Sequence, residues 1–386
     1  MVPETRIALI VDKDAAPWRA ILGGVLEFSR SQPAWILHSV RRLDEARLEI
    51  LRRWRPAGVI ARVESAEVES ALMGLGVPVV CFSSSLTQMR LPLVRVDDHA
   101  IGRMIGDHFL TYGLRHFTYF GPENPAGLEQ RAGFLQAIEE AGISEGLQPA
   151  PSWTSLDMSQ AWTSSDQVLG QWLHKLPRPF GLMLHNDEWG LWLTQVCRQA
   201  GLRVPEDVAI VGVNDDELNC TLATPPLSSV RIATRRMGHA AASLLERLLS
   251  GRTAPSEPIR VAPLAVTVRQ SSSVLAVEDA DVAAAVHFIG QASAQPLSVD
   301  DVLRHVPVAR RVLERKFKAM LGRTPLQEIR RAHLNRAKEL LARTDLKLDR
   351  VAARSGFGSM YHLCRIFKRE TSQTPMEYRR QFRHHD

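Results

Sequence analysis

The sequence predicts an α/β domain of two lobes with parallel sheets, followed by an all-α domain with two helix-turn-helix motifs. Two patterns predict this division. Up to residue 265, short apolar runs alternate with helical stretches, and after residue 290 a helical unit is repeated. Strands that are apolar throughout and separated by helices favour parallel sheets buried on both faces. With 386 residues, 45% of them hydrophobic, the chain can form two or three cores.

The apolar runs begin near the N-terminus, where residues 7–11 read Ile-Ala-Leu-Ile-Val and residues 18–28 have helical periodicity. Later runs that end in polar residues are also predicted strands; they cover residues 58–61, 77–82, 117–121, 181–185 and 208–213. Ligands of open α/β sheets bind beyond the carboxyl ends of the strands. The polar residues after each run are therefore candidates for binding a ligand.

These polar residues offer fixed donors and acceptors, a guanidinium and an indole, which are the groups that recognise sugar hydroxyls and the face of a sugar ring. Any one of them alone is explained as well by a turn or a helix cap, because Asn and Asp favour such positions. Their grouping at strand ends favours a binding site. The group comprises Asp12, Trp18, Arg19, Ser83–Ser85, Asn124–Arg131, Asn186, Asp187, Asn214 and Asp215.

Residues 351–368 predict a helix, a tight turn and a second helix. Gly356 and Gly358 are expected to supply the positive φ of the turn, and Leu363, Ile366 and Phe367 recur at helical spacing. In a helix-turn-helix the second helix lies in the DNA major groove. Its outward side chains are candidates for contacting DNA, namely Ser359, Met360, Tyr361, Cys364, Arg365 and Lys368.

The same unit occurs fifty residues earlier, which makes the signal specific. Thr324 and Thr374 each precede a proline and a Gln or Glu, the pattern of a capping box that starts a further helix. The six matching pairs are Leu313/Leu363, Arg315/Arg365, Phe317/Phe367, Lys318/Lys368, Thr324/Thr374 and Pro325/Pro375. Between the copies, apolar residues from 329 to 341 suit one long connecting helix.

The first copy predicts a recognition helix from about Arg310 to Leu321. Arginine pairs bidentately with guanine and glutamate accepts from cytosine, while contact with phosphates is the equally simple alternative for each residue. Charge supports DNA as the partner, since residues 281–386 carry 21 Lys and Arg against 11 Asp and Glu. The side chains expected to face outward are Arg310, Arg311, Glu314, Arg315 and Lys318.

The C-terminal part, about residues 279–386, resembles the AraC/XylS family of transcription regulators. The resemblance rests on the Gly-Phe turn at 356–357, on Phe-Lys-Arg at 367–369 and on Thr-Pro-Met-Glu-Tyr-Arg at 374–379. It implies two helix-turn-helix units joined by a long helix. One departure is Ala309, where the first recognition helix of the family commonly begins with serine; losing that cap costs about 1 kcal/mol.

The segment up to residue 265 resembles the effector domains of the LacI/GalR family, which have the periplasmic-binding-protein fold. The matching pieces are residues 120–122, 130–134, 185–190, 204–213 and 226–230. The resemblance implies that Arg131, Asn186 and Asn214 contact a sugar, with Asp187 and Asp215 beside them. A LacI-type body with an AraC-type tail is the arrangement of xylose operon regulators. Because Asn214 and Trp189 replace the Asp and the Arg that are usual there, the sugar can differ from xylose.

The expected organisation is a sugar-binding domain (1–267), a linker (268–280) and a DNA-binding domain (281–386). We expect a cytoplasmic, homodimeric transcription regulator whose partners are double-stranded DNA, a sugar and, as a candidate, RNA polymerase, but no membrane. An activator is favoured over a repressor of the same design. A sugar-processing enzyme is disfavoured because no catalytic motif is found, and the basic tail disfavours an exported sugar-binding protein. Four scattered cysteines indicate reduced thiols, and no metal or cofactor is expected.

Overall fold

The computed structural model describes most of the chain. The described residues are 4–11, 16–41, 43–84, 86, 88–143, 147–148, 150–151, 164–273, 279–371 and 373–382. Within these parts of the chain, no helix combines the length and the apolar character needed to span a bilayer.

The α/β part contains strands of two to seven residues and helices of six to sixteen. The strands are β1 (Thr5–Ile10), β2 (Trp35–Val40), β3 (Gly58–Val63), β4 (Val79–Ser84), β5 (Leu93–Val96), β6 (His116–Phe120), β7 (Leu147–Gln148), β8 (Phe180–Leu184), β9 (Val208–Asn214), β10 (Ser228–Arg231), β11 (Ile259–Val261) and β12 (Ala265–Thr267). The helices are α1 (Ala16–Ser29), α2 (Glu45–Trp54), α3 (Ala66–Met73), α4 (Asp98–Thr111), α5 (Pro125–Glu140), α6 (Ser164–Lys175), α7 (Asp187–Gln199), α8 (Glu217–Leu222) and α9 (Thr234–Leu249).

Two sheets form two lobes, as the sequence predicts. The first has the strand order β11-β5-β4-β3-β1-β2 and the second β12-β10-β9-β8-β6-β7. Neighbouring strands are parallel except β10 and β12, which pair antiparallel at one edge. Helices α1 and α9 pack in the first lobe and α4–α8 in the second. The chain therefore crosses between the lobes three times, at residues 96–98, 231–234 and 261–265.

Helices α4 and α5 pack backbone against backbone. A Cβ atom on Gly102 of α4 would lie 1.8 Å from the carbonyl oxygen of Gln130, and one on Gly133 of α5 would lie 1.9 Å from that of His99. Only glycine permits this approach. The two helices therefore form one rigid pair that moves with the second lobe.

The remaining helices form the all-α part. They are α10 (Ala280–Gln291), α11 (Val299–His305), α12 (Arg310–Leu321), α13 (Pro325–Arg343), α14 (Leu348–Arg354), α15 (Met360–Thr371) and α16 (Pro375–Phe382). The two predicted helix-turn-helix units are α11–α12 and α14–α15, and α13 is the predicted connecting helix. Each unit has its own core, the first around Phe317 and the second around Phe367.

Helix caps mark the boundaries that the sequence predicts. Ser298 with Asp301, and Thr324 with Gln327, form capping boxes at α11 and α13. Glu377 and Thr374 exchange the same bonds at α16. Ala309 leaves the start of α12 without a side-chain cap, in agreement with the departure seen in the sequence.

Only one of the two turn glycines behaves as expected. Gly356 has φ 74°, and a Cβ atom there would lie 2.3 Å from Nε2 of His333. Gly358 is not among the residues with positive φ and has open space around it. The prediction for Gly358 was therefore wrong, because one left-handed residue already completes the turn.

The stretch predicted as a linker begins as part of the second lobe. A 3-10 turn, Gln270–Ser272, packs on the sheet with both serines buried. Ser271 Oγ donates to the carbonyl of Ile210 at 2.7 Å and accepts from the amide of Ser228 at 2.8 Å. The polar composition of this stretch favours a linker, but the serine hydroxyls form hydrogen bonds with the sheet. Residues 274–278 of the predicted linker lie outside the described residues, and its last two residues, Asp279 and Ala280, are the cap and the first residue of α10.

The buried His108 of α4 makes the fold sensitive to acid. Its Nε2 lies 2.8 Å from Oγ of Ser272, and burial, helped by the nearby charge of Arg331, lowers the pKa of His108 to about 3. An unfolded histidine has a pKa near 6.5, so the stabilising contribution is complete above pH 6.5 and declines as the pH falls towards 3. We expect the free energy of unfolding to fall by up to about 1.4 kcal/mol per pH unit in this range. Chemical denaturation from pH 7 to pH 4.5 tests this, and His108→Gln should flatten the slope.

Candidate ligand cleft and nucleic-acid interface

The first candidate site lies beyond the carboxyl ends of β6, β8 and β9 in the second lobe. Asn186 follows β8 and caps α7, with its Oδ1 accepting from the amide of Trp189 at 3.0 Å. The cap fixes the side chain and leaves its NH₂ group without a partner among the described residues. Asn124 caps α5 in the same way, accepting from Gly127 at 2.9 Å. Asn124 and Asn186 are thus helix caps, and Asn186 keeps an NH₂ donor that no described residue uses.

A chain of polar contacts runs beneath this edge. Nδ1 of His185 lies 2.9 Å from Oε1 of Gln130, and Nε2 of Gln130 donates to Oδ1 of Asp98 at 3.0 Å. Arg95 of β5 donates to the other oxygen of Asp98 at 2.8 Å. Gln130 and Asp98 are buried. The chain joins β8, α5 and α4 of the second lobe to β5 of the first.

Ion pairs also link the lobes next to Arg131. Glu129 of α5 accepts from Arg260 of β11 at 2.5 and 3.0 Å and lies 3.4 Å from Arg95. Arg260 holds the pKa of Glu129 below its ordinary value. Arg131 itself is exposed on α5. A movement of one lobe against the other would change the contacts of Glu129 with Arg260 and Arg95.

Asp187 and Asp215, predicted to bind sugar, are both occupied by contacts within the second lobe. Asp187 is buried and accepts from Ser229 Oγ at 2.5 Å and from the amide of Asp216 at 2.7 Å. Burial raises the pKa of Asp187 to about 7, and the two donors oppose that rise. Asp215 has φ 54° and pairs with Arg231 at 2.9 Å and Arg269 at 2.7 Å. We therefore reassign both carboxylates from ligand contact to support of the β9–β10 edge.

Trp189 is likewise not open to a ligand. It is 3% exposed, and its ring lies 5.1 Å from that of Phe120 and 5.6 Å from that of Trp192, in the apolar core of the second lobe. The first turn of α7 directs it inward. Trp189 was predicted to contact the sugar because it is close to Asn186 in sequence. The sequence did not show which face of α7 is buried.

The other predicted sugar residues that the structure describes with side chains are exposed or partly exposed. In the first lobe Trp18 is half-buried, with Arg62 4.4 Å above its ring, and Arg19 is exposed. In the second lobe Asn214 ends β9 with φ 110° and is partly exposed. Asp12, Ser85 and the side chains of Ser83 and Ser84 lie outside the described residues. The described candidates offer an indole, guanidinium groups and amides from both lobes, namely Trp18, Arg19, Arg131, Asn186 and Asn214.

The second candidate site is the pair of helices α12 and α15. Leu313 and Phe317 face inward on α12, as Leu363, Ile366 and Phe367 do on α15. Opposite these buried faces, predicted DNA-contacting side chains are exposed. The exposed set is Arg310, Arg311, Arg315, Lys318, Ser359, Met360, Tyr361, Arg365 and Lys368, while Glu314 and Cys364 are partly exposed.

Several of these side chains already have local roles. Oγ of Ser359 caps α15 by accepting from His362 at 3.1 Å, and Nζ of Lys318 donates to the carbonyl of Gly322 at 2.8 Å. Arg310 pairs with Glu314 at 3.1 Å and lies 3.6 Å from Asp300. Base or phosphate contact by Arg310 would therefore require it to leave these carboxylates. Of the predicted DNA-contacting arginines, Arg311, Arg315 and Arg365 are exposed and have no such bond within the described parts.

The sequence did not predict how the all-α part docks on the second lobe. Buried Glu328 of α13 accepts from Arg331 at 2.6 and 3.0 Å and pairs with Arg323. Arg323 also donates to the carbonyl of Thr111 at 2.7 Å, and Cζ of Arg331 lies 5.1 Å from the ring centroid of Tyr112. We call these five residues the interdomain clamp. Burial alone would raise the pKa of Glu328, but Arg331 and Arg323 together hold it below its ordinary value.

Side chains of the types that bind metal ions are present among the described residues of the two sites. No group of three or more His, Cys, Asp or Glu side chains suited to a metal ion occurs in the described ranges of the chain. Three cysteines, Cys81, Cys197 and Cys220, are buried, and burial raises the pKa of Cys81 and of Cys197 to about 12. These thiols are suited to packing and not to ligation.

Comparisons with known proteins match both parts. Residues 106–272 match the model of a periplasmic binding protein-like domain, and residues 302–381 match that of a helix-turn-helix domain. The xylose operon regulatory protein of Escherichia coli (strain K12) is 30% identical over 387 residues, which cover 97% of this chain and 96% of that protein. The protein of the same name from Haemophilus influenzae is 29% identical over 334 residues, or 83% and 84% of the two chains. A solved structure of the xylose-binding transcription activator xylR is 26% identical, covers 99% of this chain and 100% of that one, and has a TM-score of 0.62.

Proposed function

Because the chain belongs to the family of the xylose operon regulatory proteins, we propose that it activates transcription of a sugar-catabolic operon when a monosaccharide binds between its two lobes. One observation carries the proposal: α4 begins in the polar contacts of the cleft, at Asp98, and ends at Thr111 in the interdomain clamp. A helix of 14 residues is about 21 Å long. It is therefore a rigid connection between the ligand cleft and the DNA-binding helices.

The cleft supports a sugar as the effector. Trp18 can stack on a sugar ring, Arg19 and Arg131 can donate to ring or hydroxyl oxygens, and the amides of Asn186 and Asn214 can donate and accept. These groups come from both lobes. A ligand that contacts both lobes stabilises the closed arrangement over the open one, and the effect is limited to its difference in affinity for the two.

Lobe closure would act on DNA through α4. The α4–α5 pair moves with the second lobe, while Arg95 and Arg260 hold its cleft end to the first lobe. At the other end of α4, Thr111 contacts Arg323, which lies just before α13, and Tyr112 contacts Arg331 of α13. His108 lies one turn earlier on α4. It is hydrogen-bonded to Ser272, which precedes α10 in the chain. Coupling between two such sites is typically about 1–3 kcal/mol, or roughly 5- to 150-fold in affinity.

We propose that the effector domain extends to residue 273 and that the DNA-binding domain begins with the cap of α10 at Asp279. The helices α12 and α15 are expected to enter successive major-groove segments, about 34 Å apart, and a homodimer would bind two such sites. Activation requires contact with RNA polymerase near the promoter. We place the protein in the cytoplasm, where the DNA is, and assign it no enzymatic activity. DNA and a sugar effector, the partners proposed here, are those of a transcription regulator, and they support the assignment of no enzymatic activity.

Sugar binding and its effect on DNA can be measured separately. A thermal-shift screen over pentoses, hexoses and deoxy sugars should identify a ligand that raises the melting temperature, because it binds only the native state. Bound DNA fragments selected from a genomic library then provide the operator. The ligand should change operator affinity by about 5- to 150-fold. A sugar that binds without changing DNA affinity, or the absence of any stabilising sugar, would contradict the proposal, and repression in a transcription assay would reverse its sign.

Replacing Asn186 by serine should abolish the sugar response. Serine keeps an oxygen to cap α7 but removes the NH₂ donor, so α7 should be nearly unchanged while a sugar oxygen loses its partner. We expect sugar affinity to fall by about 10- to 100-fold and operator affinity without sugar to stay the same. Calorimetry and fluorescence anisotropy measure the two affinities. Asp44→Ser, which keeps a capping oxygen at the exposed start of α2, is the control; equal effects of both variants would argue against a specific role of Asn186.

A further inference from the structure

His185 has the chemistry of a further ligand contact that the sequence patterns did not assign. It follows β8 directly, beside Asn186, and its amide donates to the carbonyl of Phe120 at 3.2 Å. Strand alternation directs its side chain to the same face as Met183, towards α4 and α5. There its Nδ1 meets Gln130 at 2.9 Å. The imidazole is thus held by one nitrogen at the carboxyl edge of the sheet.

The neighbouring contacts fix which nitrogen carries the proton. Asp98 accepts from Arg95 on one oxygen at 2.8 Å, and the NH₂ group of Gln130 donates to its other oxygen at 3.0 Å. That orients the carbonyl oxygen of Gln130 towards His185. A carbonyl oxygen can only accept, and Nδ1 of His185 must therefore donate. Burial lowers the pKa of His185 to about 4, so the ring is neutral near pH 7 and its Nε2 carries a lone pair.

Nε2 of His185 is left for a partner. The His185 residue is partly exposed, and no hydrogen bond of the described residues uses Nε2, since Gln130 is bonded to Nδ1. Nε2 is thus an unpaired acceptor at the ligand edge, and the chain of Gln130, Asp98 and Arg95 sets the tautomer of its ring. Such an arrangement is a preorganised recognition group. Next to it, Asn186 offers a donor.

We propose that Nε2 of His185 accepts a hydrogen bond from one hydroxyl of the sugar and that His185 is a specificity-determining residue of the cleft. This inference rests on the proposed function. An acceptor and a donor on adjacent residues match a hydroxyl group, which can donate and accept, or two neighbouring hydroxyls. A sugar that lacks the matching hydroxyl would leave Nε2 desolvated and unpaired. Sites that bind a hydroxyl through such groups reject the analogue that lacks it.

The test compares each binding sugar with its singly deoxygenated analogues by calorimetry. The protein should prefer one hydroxyl by about 10- to 100-fold. His185→Phe keeps a ring and removes both nitrogens; it should bind the parent sugar about 10- to 100-fold more weakly and no longer distinguish it from that one deoxy analogue. His174→Phe makes the same change on an exposed residue at the opposite edge of the sheet and should behave as the unchanged protein.

The outcomes separate the two proposals. If no sugar binds the unchanged protein, the proposed function fails, and this inference fails with it. If sugars bind but His185→Phe keeps the full discrimination, only the inference fails. Nitrogen-15 NMR of the unchanged protein adds a measurement that does not depend on the folding of a variant: the Nδ1–H tautomer should be seen, and the Nε2 resonance should shift on addition of the sugar. An Nε2–H tautomer, or no shift, would overturn the inference.

Discussion

Replacing Glu328 by alanine is expected to disconnect the DNA-binding helices from the effector domain. The Glu328 side chain is 1% exposed, and it neutralises Arg323 and Arg331 where these contact Thr111 and Tyr112. Removing one partner of a buried ion pair leaves uncompensated charge and costs about 3–5 kcal/mol. We expect that loss in chemical denaturation. Sugar should still bind, but operator affinity should no longer depend on it.

Glu339→Ala is the matched control, because Glu339 lies on the same helix and its pair with Arg336, at 2.7 Å, is exposed. Exposed pairs contribute about 0–1 kcal/mol, so this variant should keep both stability and coupling. Glu328→Gln, which keeps the volume and removes the charge, should lose coupling with less damage to the fold. If Glu328→Ala retained the full effect of sugar on operator affinity, the clamp would not be the route of coupling.

Replacing Phe317 or Phe367 by alanine should remove one half of the DNA contact at a time. Both rings are fully buried at equivalent positions of the two copies, but they lie in separate cores. Truncating a buried phenylalanine costs about 3–5 kcal/mol. Because the cores are separate, we expect α12 to lose its place in Phe317→Ala and α15 to lose its place in Phe367→Ala. DNA footprinting should show one major-groove segment unprotected in each variant, and a different segment in the two.

The two variants serve as controls for each other. Operator affinity should fall in both, and sugar affinity measured by calorimetry should stay unchanged, because both rings lie in cores of the all-α part whereas the predicted sugar-binding side chains lie in the two lobes. Loss of protection over the whole operator in both variants would mean that the helical part folds as one cooperative unit. Protection unchanged in either variant would exclude that recognition helix from DNA contact.

Much of the fold follows from local patterns in the sequence. The strands β1, β3, β8 and β9 are buried on both faces, so they read as unbroken apolar runs. The helical repeat predicted α12 at its observed boundaries, because Leu313 and Phe317 mark its buried face. In the structure, the left-handed residue Gly322 ends the helix. Edge strands such as β2, β7, β11 and β12 were not predicted. They are short or half-exposed, and their place depends on pairing with residues distant in sequence.

The cleft was harder to predict than the fold, for a physical reason. Asn186, Asp187 and Trp189 are close in sequence, yet their side chains point in different directions at the first turn of α7. Asn186 caps the helix, Asp187 accepts from Ser229 in a buried network, and Trp189 packs in the core. His185 and Gln130 meet only because α5 packs beside β8. The interdomain clamp likewise joins residues more than 200 positions apart, and a charged Arg-x₄-Glu-x₂-Arg run looks like a solvated helix face until its partner is known.

The central claim is that a sugar in the cleft changes how the tandem helix-turn-helix units bind DNA. The most direct measurement is operator affinity by fluorescence anisotropy, at fixed salt, with and without a sugar found in the thermal-shift screen. We predict a change of about 5- to 150-fold for the full chain, and no change for Glu328→Ala at sugar concentrations that saturate both proteins. Equal operator affinities of the full chain with and without saturating sugar would contradict the account.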